Sequence, residues 1–258
     1  SFPVLRFAQS KGIPSFIHES NSFAGKANIM LGRKATRIFV ASDGMEKFFP
    51  AAKITESGNP VRATIANSGL SREEGIRFFG LDPAKKTVLS IGGSLGAKSI
   101  NESLDKAIDE FGLNNLQLIW QTGKPYAARG KERAAGRPDV WVSDFINQME
   151  YAYAAADLVI SRSGAMAIAE LCVTKKAAVF VPFPYAAEDH QTANAQSLVN
   201  KGAGILIPDR EALEKLVPAV VSLSKDETKQ ESLKRQIGML AVANADEKIA
   251  TEILKHIG

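Results

Sequence analysis

Thr87-Val88-Leu89-Ser90-Ile91-Gly92-Gly93-Ser94-Leu95-Gly96-Ala97 decides the fold class. A short apolar run breaks into glycines, and the helical pattern of Ala97–Phe111 follows at once. Near-continuous Val, Leu and Ile describe a strand buried on both faces, which is what a parallel sheet covered by helices requires. The same alternation extends in both directions. Strands are predicted at Ile13–His18, Arg37–Ala41, Thr87–Gly92, Leu116–Gln121, Val140–Val142, Leu158–Ser161, Ala178–Val181 and Gly204–Ile207. Helical patterns fill the intervals at Ala24–Lys34, Ser71–Phe79, Ala97–Phe111, Ile146–Ala155, Ala165–Val173 and His190–Lys201. The class is α/β, a doubly wound, Rossmann-like parallel sheet.

The turn-rich stretch Ser57-Gly58-Asn59-Pro60-Val61-Arg62 marks a boundary, because the residue before a proline is driven out of helix. Residues 61–240 hold six strands, enough for a complete domain. Residues 1–60 hold two, too few for an independent parallel sheet, and are expected to be the tail of a domain that began upstream. The opening at Ser1 rather than methionine suits that expectation. The segment 226–258 reads as one or two helices, the last of which, in 241–258, is expected to pack back on the first domain.

Composition narrows the functional classes. Of 258 residues, 45% are hydrophobic and 23% charged, the ordinary globular mix. Lys and Arg number 32 against 28 Asp and Glu, and no basic block of nucleic-acid type is present, so no nucleic-acid partner is expected. No apolar run approaches the roughly 18 residues that span a bilayer. One cysteine, Cys172, excludes an internal disulfide and a multi-cysteine zinc site, and fits a reducing, cytosolic setting. Lys26, Arg33, Lys34 and Arg37 form a basic cluster, either a solvated helix face or a contact for anionic lipid or a phosphorylated ligand.

Four stretches could carry chemistry. Gly92-Gly93-Ser94 lets backbone N–H groups approach an anion, or is simply a tight strand-to-helix turn. Its spacing is not the dinucleotide G-x-G-x-x-G, and the next strand ends Trp120-Gln121-Thr122 without an acidic residue for a ribose, which disfavours an NAD enzyme. In Ser161–Glu170 a second strand runs into small residues and a helix. Glu170, a turn and a half along it, can accept both hydroxyls of a ribose whose phosphates lie at the helix N-terminus, or can be a surface Glu complementing the helix dipole.

His190, Gln191 and Asn194 open a further helix with uncharged donors and acceptors suited to sugar hydroxyls, with Asp189 as a candidate cap. His18-Glu19-Ser20-Asn21-Ser22 closes a strand, with Asn28 following. Glu19 there is a candidate general base, and Ser20, Asn21 or Ser22 a candidate cap. No two of the three histidines are i, i+4 partners and no D-x-D is present, so no metal site is expected.

In chain order, His18–Ser22 with Gly25 and Asn28, Gly58–Arg62, Gly92–Asn101, Gln121–Lys124, Ser161–Glu170 and Val181–Ala195 resemble the MurG family of GT-B glycosyltransferases. These bacterial enzymes of peptidoglycan synthesis transfer N-acetylglucosamine from UDP-N-acetylglucosamine to lipid-linked muramoyl-pentapeptide, converting lipid I to lipid II. The resemblance implies a complete C-terminal donor domain and the tail of a truncated N-terminal one. It implies an inverting, metal-independent hexosyltransferase without a cofactor, peripheral on the cytoplasmic face of the inner membrane. Gly92, Gly93, Ser94 and Arg62 would face the diphosphate, and Ala165, Met166 and Ala167 would form the helix start over phosphates and sugar. Glu170 would hold the ribose, Phe145 and its neighbours the uracil, and His190, Gln191 and Asn194 the N-acetylglucosamine. His18, Glu19, Asn21 and Asn28 would line the acceptor side.

Two departures qualify the likeness. Ala167 stands where some members have Thr, removing one phosphate hydrogen bond. The family's opening glycine-rich loop with its histidine is not in these residues, so the chain alone is expected to be chiefly donor-binding and inactive, with Glu19 the one local candidate for the base. The other readings are a related lipid glycosyltransferase with a different acceptor or donor, and a nucleotide-sugar binding module without transfer activity. An epimerase of the same fold would need acid/base carboxylates converging on the sugar.

Overall fold

The apolar runs pair into two sheets in the computed structural model, which describes residues 2–257. Every pairing in both sheets is parallel. α1 (Phe2–Ser10) leads to β1 (Phe16–Glu19), and α2 (Lys26–Gly32) crosses to β2 (Arg37–Val40). β3 (Ile54–Glu56) completes a three-stranded sheet in the order β1-β2-β3. Ile17, Leu31, Ile38, Val40, Met45 and Phe49 form its core.

After α3 (Ala63–Ala66) and α4 (Arg72–Phe79), strands and helices alternate. They run β4 (Lys86–Ile91), α5 (Lys98–Lys106), α6 (Asp109–Leu113), β5 (Leu116–Gln121), α7 (Ala127–Ala134) and β6 (Val140–Ser143). α8 (Met149–Ala155), β7 (Leu158–Ser161), α9 (Ala165–Val173), β8 (Ala177–Phe180), α10 (His190–Asn200) and β9 (Ile205–Leu206) follow. The order β6-β5-β4-β7-β8-β9 is the doubly wound arrangement. Alternate residues feed two cores. Leu89, Ile119, Val159 and Phe180 enter one, and Val88, Trp120, Ile160 and Val179 the other, which is why these strands read as unbroken apolar runs.

Winding reverses between β4 and β7, whose last residues, Ile91 and Ser161, stand side by side in register. A crevice opens at such a switch point, beyond the carboxyl ends of the strands. α11 (Ala212–Lys225) and α12 (Glu227–Gly238) pack around the second sheet. α13 (Ala245–Ile257) returns to the first: Arg37 Nε lies 3.2 Å from Glu252 Oε1, and His256 meets the Phe16 ring edge-on at 6.0 Å. Arg37 thereby leaves the basic cluster for an ion pair. No helix among the described residues is long and apolar enough to cross a membrane.

Several boundaries differ from the sequence expectation. β1 begins at Phe16 rather than Ile13, since Pro14 has no N–H and the Ser15 N–H is used by Thr36 Oγ1 at 3.0 Å. The first sheet holds a third strand, β3, whose three residues are too short to show a period. The helix expected over Ala97–Phe111 is two, α5 and α6, broken at Ala107 and Ile108. The helix expected from Ile146 starts at Met149, and the strand expected over Gly204–Ile207 shortens to β9 ahead of Pro208. Four helices go beyond the expectation: α1, α3, α7 and α11, the last carrying Pro218 inside it.

Candidate functional site

The loop after β4 is shaped by contacts that only glycine permits. A Cβ on Gly92 would stand 2.5 Å from Ala97 N, and one on Gly96 2.0 Å from Thr122 O. Gly93, at φ +78°, faces open space instead, so its lack of a side chain answers to conformation and not to packing. Gln121 Nε2 donates to Gly93 O at 3.1 Å, while Gln121 Oε1 accepts from Ile146 N at 3.1 Å. Asn101 Nδ2 donates to Thr122 O at 2.8 Å and its Oδ1 accepts from Trp120 Nε1 at 2.9 Å. These bonds clamp the loop between β4 and β5 and leave Ser94 exposed at its tip.

Beyond β7, Gly164 stands at the N-cap of α9 and no side chain caps the helix. The first-turn N–H groups are thus open to an outside acceptor. One and a half turns on, the Glu170 carboxylate is held on both oxygens. Tyr153 Oη donates to Oε2 at 2.8 Å, and Arg62 Nη2 lies 3.5 Å from Oε1. Tyr153 is fully buried, and its phenol is pushed well above the usual range by that burial and then by the adjacent Glu170. Its proton therefore stays in place as the donor.

Arg62, Gly92, Gly93, Ser94, Phe145, Ala167, Glu170 and Gln191 line one cleft of about 530 Å³ at the switch point. Phe145, Ile146 and Met149 give it an apolar wall, and Gln191 Oε1 accepts from Phe183 N at 3.0 Å. Arg162 closes the floor. Its guanidinium donates to Val181 O and Pro182 O, both at 3.0 Å, to Ser99 Oγ at 3.1 Å and to Asp209 Oδ1 at 2.5 Å.

The remaining candidates lie elsewhere. Ala165 and Asn194 line a second pocket of about 230 Å³ between the two sheets, and Met166 is half-exposed on α9. Asn194 is fully engaged there. Its Oδ1 accepts from Ser22 N at 2.8 Å, and its Nδ2 donates to Asn21 Oδ1 and Ser163 O at 3.1 and 3.2 Å. His190 Nε2 lies 3.6 Å from Glu188 Oε2, and its buried Nδ1 has no protein partner. His18 Nε2 is bonded to Gly58 O at 2.9 Å.

Glu19 is corrected from candidate base to loop anchor. Buried at 3% exposure, it accepts at Oε1 from Asn21 N and Nδ2, and at Oε2 from Gly25 N and Asn28 Nδ2, over 2.9–3.2 Å. Four donors occupy the lone pairs a base would use. The caps are corrected too: Gly25, and not Ser20, Asn21 or Ser22, stands before α2, and Asp189, at φ +53°, makes no cap bond to α10. Sequence reasoning missed Tyr153, which meets Glu170 from another helix with no local spacing to signal it. It missed Arg162 as well, although that residue lies inside the quoted stretch beside Ser161. Among the described residues no group of three His, Cys, Asp or Glu side chains is placed to hold a metal ion.

Comparison with known proteins adds a lineage to this geometry. Residues 87–252 match the glycosyltransferase family 28 C-terminal domain. A protein of Parabacteroides distasonis is 48% identical over 260 residues, covering 100% of this chain and 70% of the relative. It is named UDP-N-acetylglucosamine–N-acetylmuramyl-(pentapeptide) pyrophosphoryl-undecaprenol N-acetylglucosamine transferase. The crystal structure of Acinetobacter baumannii MurG superposes with a TM-score of 0.80 at 30% identity, over 98% of this chain and 70% of that one. S. aureus MnaA, solved with UDP, shares the fold alone, with a TM-score of 0.70 at 14% identity over 99% of this chain and 73% of that one.

Proposed function

The chain belongs to glycosyltransferase family 28, and from that premise we propose that it serves the transfer of N-acetylglucosamine from UDP-N-acetylglucosamine to lipid-linked muramoyl-pentapeptide, lipid I to lipid II. Its residues supply chiefly the donor site. One observation carries this reading: the glycine loop after β4, the uncapped start of α9 and the carboxylate of Glu170 share a single cleft at the switch point. A nucleotide sugar presents the matching groups in the same order, a diphosphate for the N–H groups and a ribose for the carboxylate. The apolar wall of Phe145, Ile146 and Met149 suits the uracil face.

In the reaction an acceptor hydroxyl of the muramoyl sugar attacks the anomeric carbon, the bond to UDP breaks and configuration inverts. Negative charge gathers on the departing diphosphate. The loop N–H groups, the α9 N-terminus and Arg62 are the donors that meet it, so donor binding is proposed to need neither metal nor cofactor. Gln191, in the cleft, and His190 with Asn194, on the same helix turn, are the proposed sugar-side residues.

The test is calorimetric titration of the chain with UDP-N-acetylglucosamine, UDP-glucose and UDP, with and without EDTA. Preferential, EDTA-insensitive binding of the N-acetylglucosamine donor, lost in Glu170→Ala, is the expected result. Absence of binding to all three overturns the reading.

The lipid-linked acceptor places the proposed work at the cytoplasmic face of the bacterial inner membrane, with the protein peripheral. α1 supports that placement: it buries no residue, and it exposes Val4 and Phe7, followed by Ile13, beside Arg6 and Lys11. An apolar and basic surface of this kind binds anionic lipid. Co-sedimentation with phosphatidylglycerol vesicles, weakened in Val4→Ser/Phe7→Ser, is expected. Equal sedimentation of the variant overturns the assignment to α1.

A further inference from the structure

The two partners of Glu170 differ in permanence. Tyr153 Oη is 2.8 Å from Oε2 and its side chain is sealed inside the second domain's core, whereas Arg62 stands 3.5 Å from Oε1 with more than half of its side chain in solvent. An exposed ion pair of that length contributes little and exchanges freely. The tyrosine cannot move in the same way. It rides on α8, and α8 is pressed so closely onto α4 that a Cβ on Gly75 would stand 2.5 Å from Ala155 N. The helix carrying Glu170 is held as well, since Leu171 and Cys172, the two residues that follow Glu170, are buried in the same core as Tyr153. Only the end of the glutamate side chain is left to choose an orientation.

We infer that Tyr153 is a positioning residue for donor recognition: by holding Glu170 Oε2 it presents Oε1 to the ribose hydroxyls, and Arg62 is the occupant that the ribose replaces. The inference rests on the reading of Glu170 as the ribose ligand. Arg62 lines the same cleft as Gly93 and Ser94, so the guanidinium released from Oε1 has the diphosphate as its next partner. Tyr153 itself touches no substrate. Burial keeps its hydroxyl protonated, and so a donor, throughout the neutral range.

Calorimetric titration with UDP and with 2′,3′-dideoxy-UDP, which lacks both hydroxyls, separates positioning from plain packing. The unmodified chain is expected to prefer UDP. In Tyr153→Phe that preference should fall by at least about tenfold, the effect of one hydrogen bond to a charged group, while affinity for the dideoxy compound stays within about twofold. In a Glu170→Gln background, Tyr153→Phe should leave the preference unchanged. The preference is a ratio measured on one sample, so a partly unfolded variant does not distort it. An unchanged preference in Tyr153→Phe, or an equal loss for both nucleotides, overturns the inference. Failure of the unmodified chain to distinguish the two nucleotides overturns the ribose reading of Glu170 itself, and the role of Tyr153 falls with it.

Discussion

Asn194 Oδ1, on α10, accepts the backbone N–H of Ser22, in the loop after β1, at 2.8 Å, joining positions 172 residues apart and on different domains. The same amide donates to Asn21 Oδ1 and Ser163 O, and the residue is 2% exposed. A side chain so committed holds the seam between the domains as well as standing on the proposed sugar side. Lys201 Nζ, 2.9 Å from Asp43 Oδ2, and Asn59 Nδ2, 3.4 Å from Ala165 O, cross the same seam.

Asn194→Ala should therefore act first on stability. It strands the Ser22 N–H and two acceptors at a buried site, at a cost of about 2–3 kcal/mol. Urea unfolding followed by circular dichroism reads this directly. A variant with unchanged stability and abolished donor binding would make Asn194 a sugar contact alone.

The glycine loop gives a paired prediction. Gly96→Ala forces a Cβ into Thr122 O at 2.0 Å, with φ at +75°, so backbone must move and the clamp between β4 and β5 opens. Gly93→Ala meets no atom within 4 Å and bears only the left-handed strain at φ +78°, about 1–2 kcal/mol. Gly96→Ala should lose UDP binding and several degrees of melting temperature, and Gly93→Ala considerably less of the latter. Equal thermal losses would show that the contact at Thr122 relaxes freely.

What could be read in the sequence follows the range of the interaction that creates it. Gly92–Ala97 was legible because strand, turn and helix are consecutive, and Glu170 because its place on α9 is counted from the turn at Gly164. Neither Tyr153 nor the Asn194–Ser22 bond was, since each joins elements whose proximity only the sheet order creates. β3 escaped for the opposite reason: three residues carry no period. Glu19 was misassigned because a carboxylate at a strand end looks alike whether its lone pairs are free or filled by Asn21, Gly25 and Asn28.

Arg162 supplies a prediction about the floor of the cleft. Its planar fork reaches Val181 O, Pro182 O, Ser99 Oγ and Asp209 Oδ1 together. A lysine offers one ammonium and cannot span these acceptors. Arg162→Lys should cost about 2–4 kcal/mol by leaving Asp209 poorly paired in a half-buried site. The double variant with Asp209→Asn should lose much less than the sum of the singles in urea unfolding. Additive losses would mean that the arginine works through the two carbonyls and Ser99, without Asp209.

Two buried groups act on stability with opposite signs at mildly alkaline pH. The Lys176 ammonium donates to Ala156 O at 2.8 Å, and burial lowers its pKa from 10.5 to about 8. Between those values the unfolded chain binds the extra proton, so folding is favoured increasingly as pH rises through the window. Cys172 does the reverse: burial pushes its thiol from 9.0 up to about 12, the unfolded chain ionises first, and stability is lost as pH climbs between them. Lys176→Met keeps the volume and removes the first effect. Comparing urea unfolding at about pH 7.5 and about pH 9.5, the unmodified chain should gain about 1–2 kcal/mol relative to the variant. The interval ends early in the cysteine's window from 9.0 to about 12, and Cys172, common to both proteins, cancels in the difference. Parallel stability curves for the two proteins would mean that Lys176 keeps an ordinary amine pKa in the folded chain.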